Sequence, residues 1–386
     1  MTTRVLYLVP DLLGPPGGIA RYCRLVAQAL LEAGVNLHVL ALMDEPRNGE
    51  VHAAKFPGMT YIPCAGSRPA FIRQTIERTI QARPGLVLTG HVNLAPLGWA
   101  LARLSRASQV TFLYGIDAWT PLSRTRRLAL QRADRLLAIS RYTAGRASQA
   151  NALDPARLRV LHNCLDPQLE RTQISHSLGS SPKFPQAPPD QPTEDHAPSL
   201  LTVARMSLAE QYKGHDVVLR AMPELLRRFP DLRYDIVGDG DARPGLQALA
   251  HELGVAQAAR FHGIVSEAEL QGHYAQASLF IMPSRAEGFG FVFLEAMAQG
   301  LPVVAGNMDA TPEVIADGET GLLVDPTSVD AIVAAVSRIL QDNDMRTRMS
   351  KAARHHVASR FSYQSFRRQL IDELAQVAPA IFPERG

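Results

Sequence analysis

The sequence predicts an α/β protein of two Rossmann-like doubly wound domains facing across a cleft, and three observations carry that prediction. Short aliphatic or β-branched runs alternate with amphipathic helical segments, the pattern of parallel sheets wound with helices. The alternation runs twice, on either side of a stretch dominated by proline and serine. The 386 residues also exceed what one hydrophobic core ordinarily supports, so two domains are expected. With 46% hydrophobic and 20% charged residues the chain can bury enough surface to fold, which excludes wholesale disorder.

In the first half the strand candidates are 5–9, 37–42, 86–89, 109–114, 136–139 and 159–162. Between the first two lies a helix over 19–33, where Ala20, Leu25, Val26, Ala29 and Leu30 recur near helical spacing and Gly34 supplies the stop. Residues 1–174 form the first domain on this reading. Residues 175–198, with six prolines in the run SHSLGSSPKFPQAPPDQPTEDHAPS and almost no aliphatic side chain, read as a linker. The second domain, 199–361, has strands at 200–204, 233–237, 260–262, 279–282, 302–305 and 321–324. Helices are expected at 214–228, 246–253, 267–277, 291–298, 328–340 and 344–359. A last helix opens the segment 362–386, which is expected to pack back on the first domain. Open α/β sheets bind ligands at the carboxyl ends of their strands, so two facing sheets place the expected site in the cleft.

Charge and cysteines narrow the class. Forty Lys plus Arg against 37 Asp plus Glu leave a net charge of +3, too little for a dedicated nucleic-acid binder. The total conceals an asymmetry: residues 1–180 carry +10 and residues 181–386 carry −7. Three widely spaced cysteines, Cys23, Cys64 and Cys164, fit a reducing compartment and no zinc site or disulfide framework. The opening MTTRVLYLVPDLLG lacks the apolar core and cleavage site of a secretory signal, so a cytoplasmic protein is expected. The long uncharged stretch 84–102 contains His91, Asn93 and Pro96 and does not read as a membrane helix.

The strongest constellation is Ser284-Arg-Ala-Glu-Gly-Phe-Gly-Phe-Val-Phe-Leu-Glu295, in which Glu287 and Glu295 flank a loop and the start of a helix. Unpaired N–H groups at a helix start, with Gly288 and Gly290 allowing close approach, suit hydroxyls or a pyrophosphate. A carboxylate such as Glu295 can accept both hydrogen bonds of a ribose diol. The ordinary alternative is a helix with an acidic first turn and a solvated Glu.

This segment resembles the EX7E motif of retaining glycosyltransferases, in particular glycosyltransferase family 4 (group 1). Further segments in family order strengthen the likeness. Val203-Ala-Arg205 with Gln211-Tyr-Lys-Gly-His-Asp216 is similar to the strand-end Arg and KGxD pair. Val237-Gly-Asp-Gly240, Phe261-His-Gly263, Pro283-Ser284, Glu313-Val-Ile and Gly321-Leu-Leu-Val324 also fit, as do Gly17-Gly18, Ala138-Ile-Ser140 and His162-Asn163 in the first half. The resemblance covers most of the chain and implies a GT-B fold and a metal-independent retaining transfer from a UDP- or GDP-linked sugar.

By the same resemblance, Arg205 and Lys213 neutralise the departing diphosphate and Glu287, with the backbone of Phe289 and Gly290, holds the donor sugar. Glu295 holds the ribose, and Gly17, Gly18, Gly238 and Gly288 approach the donor. Tyr114 and Asp117 stand where the family has the His and the Glu of HGxE, so the resemblance implies no His-based role there and places both on the acceptor side. His91, at a strand's carboxyl edge, is a further catalytic candidate. Cys164 replaces the usual Gly of HNGxD. Alternative readings are a noncatalytic saccharide-binding partner and a nucleotide-sugar epimerase of the same fold. Nucleotide identity, sugar, acceptor and linkage are not legible.

Weaker motifs compete. Gly238-Asp-Gly-Asp-Ala-Arg243 begins like a dinucleotide fingerprint but has Arg243 at the third glycine. Asp239-Gly-Asp241 and Asp342-Asn-Asp344 have a metal-diphosphate form, yet each sits where turns and helix starts ordinarily place Asp, so no metal is expected. Arg68, Arg73, Arg78 and Arg83, and the arginines at 124–135 interleaved with leucines, read as basic faces. Such faces suit an anionic membrane and a lipid-linked acceptor at the cytoplasmic face of the inner membrane, or are simply solvated helix surfaces.

Overall fold

The computed structural model describes residues 4–14, 17–49, 55–167, 169–170 and 197–382. Chain contacts divide it into two units, Met1–Asn163 with Tyr363–Gly386, and Cys164–Ser362. The linker expected at 175–198 lies, apart from its last two residues, outside the described residues.

Unit 1 is a seven-stranded parallel sheet in the order β3-β2-β1-β4-β5-β6-β7. Its strands are β1 (Arg4–Val9), β2 (Asn36–Ala41), β3 (Thr60–Pro63), β4 (Leu86–Thr89), β5 (Ser108–Leu113), β6 (Arg135–Ala138) and β7 (Leu158–Val160). The central strand β1 is a continuous apolar run because helices cover both faces of such a sheet; Val5 to Val9 are all fully buried. β3 has no counterpart in the sequence reading. It is an edge strand, half-buried along its whole length and ended by Pro63, so it carries neither an apolar run nor a clean alternation.

The helices of this unit are α1 (Gly18–Glu32), α2 (Arg68–Ala82), α3 (Ala95–Ser105), α4 (Arg124–Arg132), α5 (Arg141–Asn151) and, from the far end of the chain, α12 (Tyr363–Val377). α12 packs on α1. Phe366 meets the Tyr22 ring edge-on at 5.5 Å, Arg367 pairs with Glu32 at 3.2 Å, and the Arg135 guanidinium reaches Glu373 and Gln376. The unit boundary falls at Asn163 and not at residue 174. The backbone N–H of Leu165 donates to the Phe361 carbonyl, which ties the chain after β7 to unit 2.

Unit 2 is a six-stranded parallel sheet in the order β10-β9-β8-β11-β12-β13. Its strands are β8 (Ser199–Val203), β9 (Arg233–Val237), β10 (Ala259–Gly263), β11 (Leu279–Met282), β12 (Val303–Gly306) and β13 (Gly321–Val324). The helices are α6 (His215–Arg228), α7 (Arg243–Glu252), α8 (Glu267–Gln276), α9 (Phe291–Ala298), α10 (Val329–Gln341) and α11 (Asn343–Arg360). Val218, Leu219 and Met222 of α6 and Ile332 and Val336 of α10 bury with Tyr234, Ile236 and Ile281 of the sheet. Each such apolar side chain contributes roughly 1.5–3 kcal/mol on leaving water, which holds the strand ends in place for the loops beyond them.

At the end of β9 the backbone of Gly238 has φ +130°, and a Cβ there would lie 2.0 Å from the Ala204 carbonyl oxygen. The two strand exits therefore touch backbone to backbone. Gly238→Ala is expected to cost about 2 kcal/mol or more of stability, read as a lower urea midpoint; an unchanged midpoint would contradict this close approach.

Candidate active site

In unit 2 the strand order turns back between β8 and β11, so the loops leaving their carboxyl ends diverge and open a crevice. The loop after β8 carries Arg205 and a 3-10 turn, Leu208–Lys213. The loop after β11 carries Glu287 and leads into α9. Lys213 Nζ donates to Glu287 Oε2 at 2.9 Å, with both side chains only about one-sixth exposed. The Arg285 N–H donates to the Tyr212 carbonyl at 2.9 Å, which joins the two loops beside that pair.

The charges are arranged around Tyr212. Lys213 Nζ lies 5.6 Å from the Tyr212 ring centre. Arg205, 70% exposed, reaches back to pair with Glu210. Burial is the largest influence on Lys213 and opposes its charge, but Glu287, Tyr212 and Glu210 together leave its pKa above the ordinary value. It is therefore an ammonium held in a mostly dry place. Beside it, burial and then the Lys213 charge push buried His215 down to about 4, so that imidazole is neutral.

Glu287 is fixed through its backbone. Asp309 Oδ2 accepts from the Glu287 N–H at 2.6 Å, Asp309 Oδ1 accepts from Thr311 N–H at 2.9 Å, and the Glu287 carbonyl accepts from Ala310 N–H. Burial raises the Asp309 carboxyl from its usual range. Gly288 and Phe289 are buried, the Phe289 ring meeting Phe361 edge-on at 5.6 Å. Gly290 has φ +87°, and a Cβ there would come within 2.5 Å of the Phe293 ring, so only glycine makes this turn. α9 then starts at Phe291 with no side-chain cap on Gly290. Glu295, on the second turn of α9 and 7% exposed, accepts from the Tyr274 hydroxyl at 2.8 Å.

Three of the four aspartates of the two metal-like motifs have local work. Asp239 accepts from Gly240 N–H, Asp241 holds the Leu208 N–H at the start of the turn that carries Lys213, and Asp342 caps α11. The Gly238 N–H donates to the Gly263 carbonyl.

In unit 1, Gly17 is the extended N-cap of α1 and offers no capping side chain, so the helix opens at Gly18 with bare backbone. His91 follows β4, and its Nδ1 accepts from Asn93 N–H at 3.1 Å. Its Nε2 lies 3.8 Å from Asp117 Oδ2. Burial, then the Arg126 charge, pushes His91 down to about 4, while burial pushes Asp117 up to about 7. Tyr114 is placed differently from the sequence expectation of an acceptor-side residue. Its side chain turns into the core, ring edge on Tyr22 at 5.3 Å and hydroxyl 3.6 Å from Cys23 Sγ. Three residues on, Asp117 is the member of that segment that meets His91.

The structure thus gathers Lys213, Glu287 and Arg205 on two joined loops and sets Glu295 on the helix that follows. Sequence reasoning missed Glu210, Tyr212, Tyr274 and Asp309. Of these, Asp309 has a local sequence context: it stands two residues before Thr311, whose N–H it accepts as an Asx turn, whereas Tyr274, buried in α8, shows its role only in the fold.

Comparison with known proteins shows the family and the fold. Residues 16–169 match the profile of Glycosyltransferase Family 4 and residues 185–356 that of Glycosyl transferases group 1. Over 335 residues the chain is 33% identical to a D-inositol 3-phosphate glycosyltransferase of Streptomyces scabiei, covering 80% of this chain and 72% of the relative. Over 219 residues it is 36% identical to the GDP-mannose-dependent alpha-(1-6)-phosphatidylinositol monomannoside mannosyltransferase of Mycolicibacterium smegmatis, covering 50% of this chain and 57% of that protein. The aligned region thus spans about half the length of that relative. Among solved structures, Anabaena HepE in complex with UDP-glucose matches with a TM-score of 0.75 at 19% identity, over 97% of this chain and 99% of the other. The fold is of the GT-B type, and the chain belongs to the group 1, family 4 glycosyltransferases.

Because the folded state holds the Asp117 proton above its ordinary value of 3.8, ionisation of this carboxyl opposes folding as pH rises from about 4 through about 7. Asp117→Asn cannot ionise. It is expected to gain about 1 kcal/mol or more over the native chain between pH 5 and pH 8, measured by urea unfolding at both; a difference independent of pH would contradict the burial of this group.

Proposed function

We propose that the protein transfers a sugar from a UDP- or GDP-linked donor to a saccharide or lipid-linked acceptor, with retention of anomeric configuration and no metal in the transfer step. The observation that carries this reading is the Lys213–Glu287 contact at the crevice between β8 and β11. It receives support from the relatives, one of which is named as GDP-mannose-dependent, and from the UDP-glucose complex of a protein of the same fold.

In the proposed reaction the acceptor hydroxyl oxygen forms a bond to the anomeric carbon while the bond from that carbon to the diphosphate breaks, its electron pair leaving on the phosphate oxygen. The acceptor proton passes to that oxygen on the same face. Little else is required of the protein than position and charge. Lys213 supplies a point charge and Arg205, once released from Glu210, a planar fork for phosphate oxygens. Glu287 faces the donor sugar, and Glu295, oriented by Tyr274, accepts from the ribose. Unit 1 contributes the bare start of α1 at Gly17 and Gly18 and the His91–Asp117 pair on the acceptor side.

A peripheral membrane contact belongs to the same reading. No helix among the described residues is long and apolar enough to cross a membrane. On α2, however, Ile72, Ile76 and Ile80 recur every four residues and are 45%, 39% and 61% exposed, with Arg68 and Arg73 alongside. An apolar stripe flanked by cations fits the anionic cytoplasmic face of an inner membrane, where a lipid-linked acceptor would lie.

The direct test incubates purified protein with UDP- and GDP-sugars and chelator, and follows transfer and product anomeric configuration by NMR. Retained configuration is expected; an isomerised donor formed without acceptor would mark an epimerase, and no turnover with any donor a binding protein. Lys213→Ala is expected to lower kcat by about 100-fold, and Glu295→Ala to raise the donor KM by about tenfold. Normal kinetics in both variants would overturn the assignment. Ile76→Glu should reduce co-sedimentation with phosphatidylglycerol vesicles while leaving transfer to a soluble acceptor unchanged; equal sedimentation would remove α2 as the contact.

A further inference from the structure

On the opposite side of β8 from the crevice, Asp235 of β9, His262 of β10 and His273 of α8 bring one ligand atom each to within 4.8 Å of one another. The arrangement follows from the sheet. β9 and β10 pair in parallel with Asp235 opposite Arg260, and a register irregularity between Phe261 and Gly263 sets His262 beside Asp235. The alternate residues, Tyr234, Ile236 and Phe261, enter the core on the other face. His273 stands with Asp235 and His262, its ring centre 4.3 Å from that of His262. His262 Nε2 and Asp235 Oδ1 are already 2.7 Å apart.

We propose that Asp235, His262 and His273 form a binding site for zinc or a similar borderline divalent cation. Two imidazole nitrogens and one carboxylate oxygen are the donor set of such ions, whereas magnesium and calcium require oxygens. Around a tetrahedral zinc with bonds near 2.0–2.1 Å, ligand atoms stand about 3.3 Å apart. The cluster lies between 2.7 and 4.8 Å, so small side-chain rotations close it. The fourth position faces water, since His262 and Asp235 keep 27% and 18% of their side-chain surface exposed. In the cation's absence Asp235 pairs with His262 by hydrogen bond; with it, both release that bond to the metal and His273 joins them.

The bound ion would clamp the sheet edge to α8. The residue after His273 is Tyr274, whose hydroxyl holds Glu295, so the clamp fixes a helix that serves the donor site without entering the chemistry. The site is distinct from the transfer machinery: none of its ligands belongs to the Lys213–Glu287 loops.

The experiment titrates chelator-treated full-length protein with zinc, alone and against a chromophoric chelator, and repeats it with cobalt to read the visible absorption of a four-coordinate ion. One tight equivalent, a thermal midpoint that rises with zinc, and an intense cobalt spectrum reversed by chelator are expected. His273→Gln and Asp235→Asn should each weaken binding at least tenfold and abolish the spectrum, while His355→Gln, on the exposed face of α11, should change neither. The variant positions are partly exposed, and unchanged circular dichroism confirms folding; the cobalt spectrum of the native chain gives a reading that no variant can confound. Equal affinity in all variants, or no cobalt spectrum in the native chain, would overturn the proposal and leave adventitious binding to surface histidines.

Discussion

The ammonium of Lys213 is kept charged in a largely dry crevice by one carboxylate 2.9 Å away. Burial disfavours the charged form, and Glu287 is the chief group that offsets this. Three further contacts at the carboxyl edge of unit 2 hold the two loops that carry it. The Asp309 side chain anchors the Glu287 backbone, Asp241 anchors the turn bearing Lys213, and the Arg285–Tyr212 hydrogen bond joins the two loops. In the proposed reaction, charged groups held this way need not reorganise for a diphosphate, which is the condition under which electrostatic stabilisation is most effective.

The fold prepares this by backbone contact more than by side-chain complementarity. Gly290 admits a turn that any Cβ would block, and it sets Glu287 before the helix start and Glu295 within the helix. Unit 1 follows a related plan with a different outcome. Its pair His91 and Asp117 is pushed by burial toward the uncharged forms of both members: the His91 imidazole is neutral at neutral pH, and the Asp117 carboxyl, with its pKa moved to about 7, titrates there.

Much of this was legible in the residue string, and the failures have physical reasons. Inner strands such as 5–9 and 279–282 declare themselves because burial on both faces demands apolar runs, and the helix at 291–298 is bracketed by Gly290 and by the change to Gly300-Leu-Pro. Edge strand β3 was hidden because one exposed edge and half-buried faces impose no pattern. The Glu287, Glu295, Lys213 and Arg205 set was legible only as an ordered resemblance, since spacing alone reads equally well as a solvated helix. Tyr114 was misplaced because strand phase is set by tertiary packing: the side chain at the end of β5 turns toward Tyr22 and Cys23, a choice no local rule makes. Asp309 and Tyr274 act from other segments, 22 and 21 residues away from their partners, a distance at which only the folded chain shows the contact.

The central claim is that Lys213 meets the charge that appears when the sugar departs. Isothermal titration of Lys213→Met and the native protein with a nucleoside diphosphate and with the corresponding nucleoside monophosphate reads this directly. The diphosphate should lose at least tenfold in affinity, about 1.4 kcal/mol, while the monophosphate changes little. Equal diphosphate affinity in the two proteins would mean that the Lys213–Glu287 contact is a structural ion pair and nothing more.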